Sequence, residues 1–166
     1  MSKFLEILFQ LIKDLIENQQ KNKPKQIDWT NPEDKLSDHF TVKDALWLPK
    51  WNKMHSPTEE EKKNILEVIV IMEKIREFLG GKPINVHCFL RTTDYNKLVG
   101  GAPNSMHIYG KAVDWSNGMN CDEVRNLLKP KLEELNIRME NNTGGNWIHI
   151  DNKPVSSNSE RIFNPK

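Results

Sequence analysis

Apolar positions recur at helical spacing at the start of the chain. Leu5, Leu8, Ile12 and Leu15 form one stripe, widened by Phe4, Leu11 and Ile16. Lys13, Asp14, Glu17 and Asn18 fill the polar positions. Their charges are mixed in sign, which predicts a helix packed on the main domain or on a copy of itself, not a basic helix lying on a membrane. From Gln19 to Asp34 the period disappears and Gln, Asn, Lys and Pro dominate, as in a linker or extended arm. The pattern therefore divides the chain into 1–35, an amphipathic helix with a polar linker, and 36–166, a folded domain.

Within the domain, Thr41 caps a short helix through Leu46. Ser56-Pro57-Thr58-Glu59 reads as a capping box with Pro at the first helical position. The long helix that follows carries Ile65, Val68, Ile69, Met72, Ile75 and Leu79 on one face and ends at Gly80-Gly81. Pro83 to Phe89 reads as a buried strand, Asp94 to Val99 as a short helix ended by Gly100-Gly101, and Lys111 to Trp115 as a strand. Asp122 to Leu135 reads as a helix broken or kinked at Pro130. Ile137 to Glu140 and Trp147 to Asp151 read as two strands joined by the turn Asn141 to Asn146. The tail after Pro154 reads as irregular. The predicted class is α+β, a small, mainly antiparallel sheet with helices packed on it.

Composition narrows the choice of function. The 166 residues suffice for one domain plus an appendage. Lys and Arg total 24 against 23 Asp and Glu, a net charge of +1, and no basic run alternates with aromatics, so there is no footprint for nucleic acid. Cys88 and Cys121 are too few for a disulfide framework and form no CxxC pair. Cys88, in an apolar run, reads as a buried thiol. No segment reaches the ~18–20 apolar residues of a membrane span. Glu6, Gln10 and Asp14 interrupt the first apolar stretch and no small-residue cleavage pattern follows it, so no Sec signal is expected.

Three residues of zinc-binding type stand in the C-terminal half, His107, Asp114 and His149. A catalytic zinc takes three nitrogen or oxygen ligands and keeps a position open for water. Asp114 sits in the apolar run Ala112 to Trp115, where a carboxylate needs a cation or strong donors. His149 lies between Ile148 and Ile150 and poses the same question. Gly110, between the first two candidates, permits a tight approach or a positive φ. His39, His55 and His87 have no ligand spacing. Trp29, Trp47 and Trp51 read as core or domain-edge packing.

The segment Ser105-Met106-His107-Ile108-Tyr109-Gly110-Lys111-Ala112-Val113-Asp114 resembles the SxHxxGxAxD signature of the zinc D-Ala-D-Ala carboxypeptidase group. That group is similar in fold to vancomycin-resistance dipeptidases, phage L-alanyl-D-glutamate endolysins and hedgehog signalling domains. Trp147-Ile148-His149 resembles its later W-x-H segment, and His39 to Leu46 its opening. The resemblance covers roughly residues 36–152. It implies one Zn2+ per chain held by His107, Asp114 and His149, and a peptidoglycan stem peptide as substrate.

The same resemblance implies that Arg91 binds a substrate carboxylate or carbonyl. The surrounding Cys88-Phe89-Leu90-Arg91 departs from the usual Ser-Gly-Tyr-Arg, so a more apolar pocket wall is expected. Ser105 is expected to brace His107 or the substrate; Tyr109 and Trp147 line the cleft or pack in the core. Many relatives place an acid three positions before the third ligand, where this chain has Asn146, which cannot accept water's proton. If the turn is centred between Gly144 and Gly145, Glu140 falls opposite His149 and Arg138 opposite Asp151. Glu140 is then the first candidate for the base and Asp151 the second. The reading is a peptidase, as in a phage-type lysin; the alternative is a zinc-containing module that has lost catalysis, with the N-terminal helix serving self-association or docking.

Overall fold

The computed structural model describes Gln10, Lys13 and residues 26–142, 144–156 and 160–164. Apart from Gln10 and Lys13, the predicted N-terminal helix lies outside the described residues. Helix α1 (Val42–Leu46) leads to a small ribbon of β1 (Trp47–Leu48) and β2 (Lys53–Met54). Helix α2 (Glu59–Phe78), β3 (Asn85–Cys88), α3 (Thr93–Leu98), β4 (Ala112–Ser116), α4 (Cys121–Leu128), β5 (Arg138–Glu140), β6 (Ile148–Asp151) and β7 (Ile162–Phe163) follow. The main sheet has the order β3-β4-β6-β5-β7 and is antiparallel except at the β5–β7 pair. This is the α+β architecture predicted.

The core lies between α2 and one face of the sheet. Ile65, Val68, Ile69, Met72 and Ile75 of α2 are fully buried with Val113, Trp115, Met139, Ile148 and Ile150 of the sheet. Helix α2 starts two residues later than the expected capping box. Thr58 Oγ1 accepts from the Glu61 amide at 3.3 Å while Glu61 Oε2 accepts from the Thr58 amide at 2.7 Å. Ser56 also has an acid three residues on, Glu59, but the box that forms is that of Thr58 and Glu61, in which both orphan donors are satisfied reciprocally.

Four other segments differ in whole or in part from expectation. Strand β3 is an edge strand with Asn85 and His87 exposed; a bulge between Val86 and Cys88 shifts its register, and burial begins only at Phe89 and Leu90. Helix α4 is broken at Pro130 as expected, stopping at Leu128 with Pro130 in a separate 3-10 turn, Lys129–Lys131, but residues 132–136 form a turn and do not resume the helix. The tail is not all irregular, because β7 runs parallel to β5, with the Met139 amide donating to the Arg161 carbonyl and the Asn141 amide to the Phe163 carbonyl, both at 2.8 Å. Residues 27–34 form turns against the domain. Ile27 and Trp29 pack on the core, Asp34 is buried and accepts from the Asp28 amide at 2.7 Å, and the Val42 amide donates to the Asp34 carbonyl at 2.9 Å.

Candidate metal centre

Alternation along the central strands sorts the side chains. Val113 and Trp115 of β4, Ile148 and Ile150 of β6, and Met139 of β5 enter the core. Asp114, His149, Asp151, Arg138 and Glu140 therefore share the opposite face. The register pairs Asp114 with His149 across β4–β6 and Arg138 with Asp151 across β5–β6. One position further along, Glu140 faces His149. This is the register the turn at Gly144-Gly145 predicted.

His107 reaches the face from outside the sheet. It lies in the 3-10 turn Met106–Tyr109, whose N-cap is Ser105, with Oγ accepting from the His107 amide at 3.4 Å. Ser105 thus braces His107 through the backbone. Gly110 closes the turn at φ +66°. A Cβ there would lie 3.1 Å from Ile65 Cγ1 and 3.2 Å from the Glu61 carbonyl oxygen, so both the backbone angle and the packing on α2 require glycine.

Three atoms converge. His107 Nε2 is 3.3 Å from His149 Nδ1 and 3.2 Å from Asp114 Oδ1, and His149 Nδ1 is 2.7 Å from Asp114 Oδ1. Tetrahedral ligands ~2.0–2.2 Å from one ion stand roughly 3.3–3.5 Å apart, so this triangle fits a single divalent metal with little movement. The outer atoms are also arranged for it. His107 Nδ1–H donates to the Phe89 carbonyl at 2.6 Å, which turns the Nε2 lone pair inward. The outer nitrogen of His149, Nε2, is 3.8 Å from Asp151 Oδ2. The outer oxygen of Asp114, Oδ2, accepts from Arg91 Nη2 at 2.6 Å.

Charge in the cluster follows burial and pairing. Burial pulls the His107 imidazole toward its neutral form. Burial acts against ionised Asp114, but the two histidines outweigh it and hold the carboxyl well below the usual range. Burial also opposes protonation of His149, yet the Asp114 and Asp151 carboxylates prevail and push it up to about 9. Without a metal, a proton on His149 joins the Arg91 guanidinium as a cation beside Asp114.

Cys88, His107 and Asp114 form a second possible ligand group, with one atom from each mutually within 4.8 Å. Cys88 is partly exposed, not the buried thiol expected. Its Sγ accepts from Arg91 Nε at 3.0 Å, and desolvation raises its pKa, so it is a thiol rather than a ready thiolate. His149, with an imidazole nitrogen already in contact with the other two ligand atoms, is the better third member.

Arg91 is no surface arginine; its side chain is 14% exposed and is spent on Asp114 and Cys88 through Nη2 and Nε. Phe89 and Leu90, expected to make the pocket wall more apolar, are instead buried in the core. Tyr109 and Trp147 are not core residues, being 47% and 36% exposed. The Trp147 ring lies over Gly145, where a Cβ would overlap it. Asn146 is exposed, its Oδ1 4.0 Å from Cys121 Sγ beside a depression of about 300 Å³ that also includes Asn120 and Arg125. Phe163 is the residue that sequence reasoning missed. Its ring meets His149 edge-on, 5.9 Å between centroids, and the Arg138 guanidinium lies 4.5 Å over it.

Residues 39–151 match the peptidase M15 family, and the chain belongs to that family. It is similar to the zinc D-Ala-D-Ala carboxypeptidase of Streptomyces albus G, at 40% identity over 55 residues, which are 33% of this chain and 22% of that protein.

Proposed function

We propose that this protein is a zinc metallopeptidase that hydrolyses peptide bonds in bacterial peptidoglycan stem peptides, with His107, Asp114 and His149 holding one zinc ion. The observation that carries this reading is the triangle of two imidazole nitrogens and one carboxylate oxygen, within a member of a peptidase family. When bound, zinc supplies the Lewis acidity that polarises a peptide carbonyl and acidifies water. Glu140 is the general base. It faces His149 across β5–β6, no hydrogen bond to its carboxylate is found among the described residues, and burial raises its pKa toward the working range. It takes a proton from the attacking water and returns it to the departing amine nitrogen as the C–N bond breaks. Arg91 turns its remaining nitrogen, Nη1, to a substrate carboxylate or carbonyl while Asp114 and Cys88 fix its plane.

Asp151, the second candidate for the base, serves instead as a brace. Its oxygens accept from Arg138 Nε at 2.9 Å, Arg138 Nη2 at 2.6 Å and the Lys153 amide at 3.0 Å. No helix among the described residues is long and apolar enough to cross a membrane. A phage-type lysin, reaching the wall from the cytoplasm, is the setting this reading favours. The test is release of new amino or carboxyl termini from purified peptidoglycan, with and without a zinc chelator. Chelator-sensitive release is expected. Zinc binding with no release from any wall preparation would favour the inactive module instead, a reading for which Asn146 in the usual acidic position is the specific observation.

A further inference from the structure

We infer that Phe163, in the C-terminal strand, is a positioning residue of the metal centre, an inference that rests on the zinc reading above. Four side chains close a ring behind the third ligand. His149 Nε2 faces Asp151 Oδ2 at 3.8 Å; Asp151 is held bidentately by Arg138; the Arg138 guanidinium lies 4.5 Å over the Phe163 ring; and Phe163 meets the His149 ring edge-on at an interplanar angle of 89°. Each contact has a direction. The bidentate fork fixes the plane of Arg138, and the aromatic face fixes that plane from its other side. The ring edge stops His149 from rotating away from the ligand triangle.

The backbone places Phe163 where it can do this. Parallel pairing sets Phe163 against Glu140, the residue that faces His149. The Asn141 amide, directly after Glu140, donates to the Phe163 carbonyl at 2.8 Å. Without β7, the sheet edge beside Glu140 would be open and Arg138 would lose its aromatic plane. The neighbouring Ile162 packs toward the core, so the two residues of one short strand have separable jobs.

The test uses the full chain and reads zinc affinity by competition with a chromogenic chelator, followed by kcat and KM on wall peptides. Phe163→Leu should weaken zinc binding by roughly the 10–100-fold seen when groups behind metal ligands are lost, and should lower kcat more than it raises KM. Phe163→Tyr keeps the ring and should restore both. Ile162→Val, on the same strand, should lower the thermal midpoint and leave zinc affinity unchanged. Should Phe163→Leu fail to fold, Arg138→Lys loosens the same ring from the other side and should weaken zinc likewise. Wild-type zinc affinity in folded Phe163→Leu overturns the inference, as does equal loss in Ile162→Val. Unmodified protein that binds zinc but cleaves nothing defeats the peptidase reading while zinc affinity still decides the role of Phe163. Unmodified protein that binds no zinc overturns both.

Discussion

Two carboxylates stand beside the third histidine, and what their oxygens already hold divides their roles. Asp151 is 2% exposed and engaged by Arg138 and the Lys153 amide, which leaves it nothing to offer water. Glu140 is half-buried and faces the same histidine with its carboxylate uncommitted among the described residues. Glu140→Gln keeps the shape and removes proton acceptance, so turnover should fall by roughly 10²–10⁴-fold with zinc retained. Asp151→Asn should instead cost stability, about 1–3 kcal/mol; a fully buried pair broken on one side costs more, but Arg138 keeps 21% of its side chain in water. The comparison is turnover per folded, zinc-loaded molecule. Near-normal turnover in the Glu140 variant, with none in the Asp151 variant, would transfer the role to Asp151.

At the level of elements, the site depends on one tight turn delivering His107 to a sheet face built by alternation. Gly110→Ala places a side chain at φ +66° against Ile65 and the Glu61 carbonyl. The strained angle alone costs about 1–3 kcal/mol, and the turn can relieve it only by withdrawing from α2 and taking His107 with it. Denaturant midpoints and zinc affinity should therefore fall together; a stable variant with undiminished zinc binding would show the turn to be dispensable. These elements were readable in the sequence for identifiable reasons. The apolar period of α2 continues from Ile65 to Leu79, about four turns, and the in–out alternation of β4 and β6 makes a buried Asp114 and His149 stand out among Val113, Trp115, Ile148 and Ile150. The register of β5 on β6 followed from the centre of the Gly144-Gly145 turn. Strand β7 could not be read because two residues, Ile162 and Phe163, are too few to show a period, and its pairing is long-range and parallel. The exposed face of β3, the alternation of Asn85 and His87 with Val86 and Cys88, was masked by the fully buried Phe89 and Leu90 that directly follow it. Arg91 was found, but its ties to Asp114 and Cys88, which face each other across β3–β4, are long-range or side-chain contacts with no sequence signal.

On the scale of the whole molecule, the centre draws on residues from Cys88 to Phe163, while the chain before Ile27 contributes none of the described contacts to it. Removing residues 1–25 should leave zinc affinity unchanged, with any change confined to oligomeric state in analytical ultracentrifugation. A cut after Asp34 should destabilise the domain, because it removes Ile27, Trp29 and the carbonyl that receives the Val42 amide. A truncated, folded protein that has lost zinc would show that the arm reaches the site. The metal-free molecule should also respond to pH in a way set by His149. Its folded pKa, about 9, lies above the ordinary 6.5, so the stabilising proton is fully present below pH 6.5 and is lost as pH rises toward 9. Asp114 is shifted the other way, and its contribution is lost only on acidification below the usual carboxylate range. Between pH 6.5 and 9 the metal-free chain should therefore become progressively less stable. Zinc must displace the His149 proton to bind, so it competes less well at pH 6 than at pH 8. Since binding to the folded state alone raises the thermal midpoint, the increment produced by a fixed free zinc concentration should be larger at pH 8 than at pH 6. Scanning calorimetry of zinc-loaded and chelator-treated protein at the two pH values measures it. Equal increments would mean that His149 is already unprotonated at pH 6, and that Arg91 alone compensates the charge on Asp114.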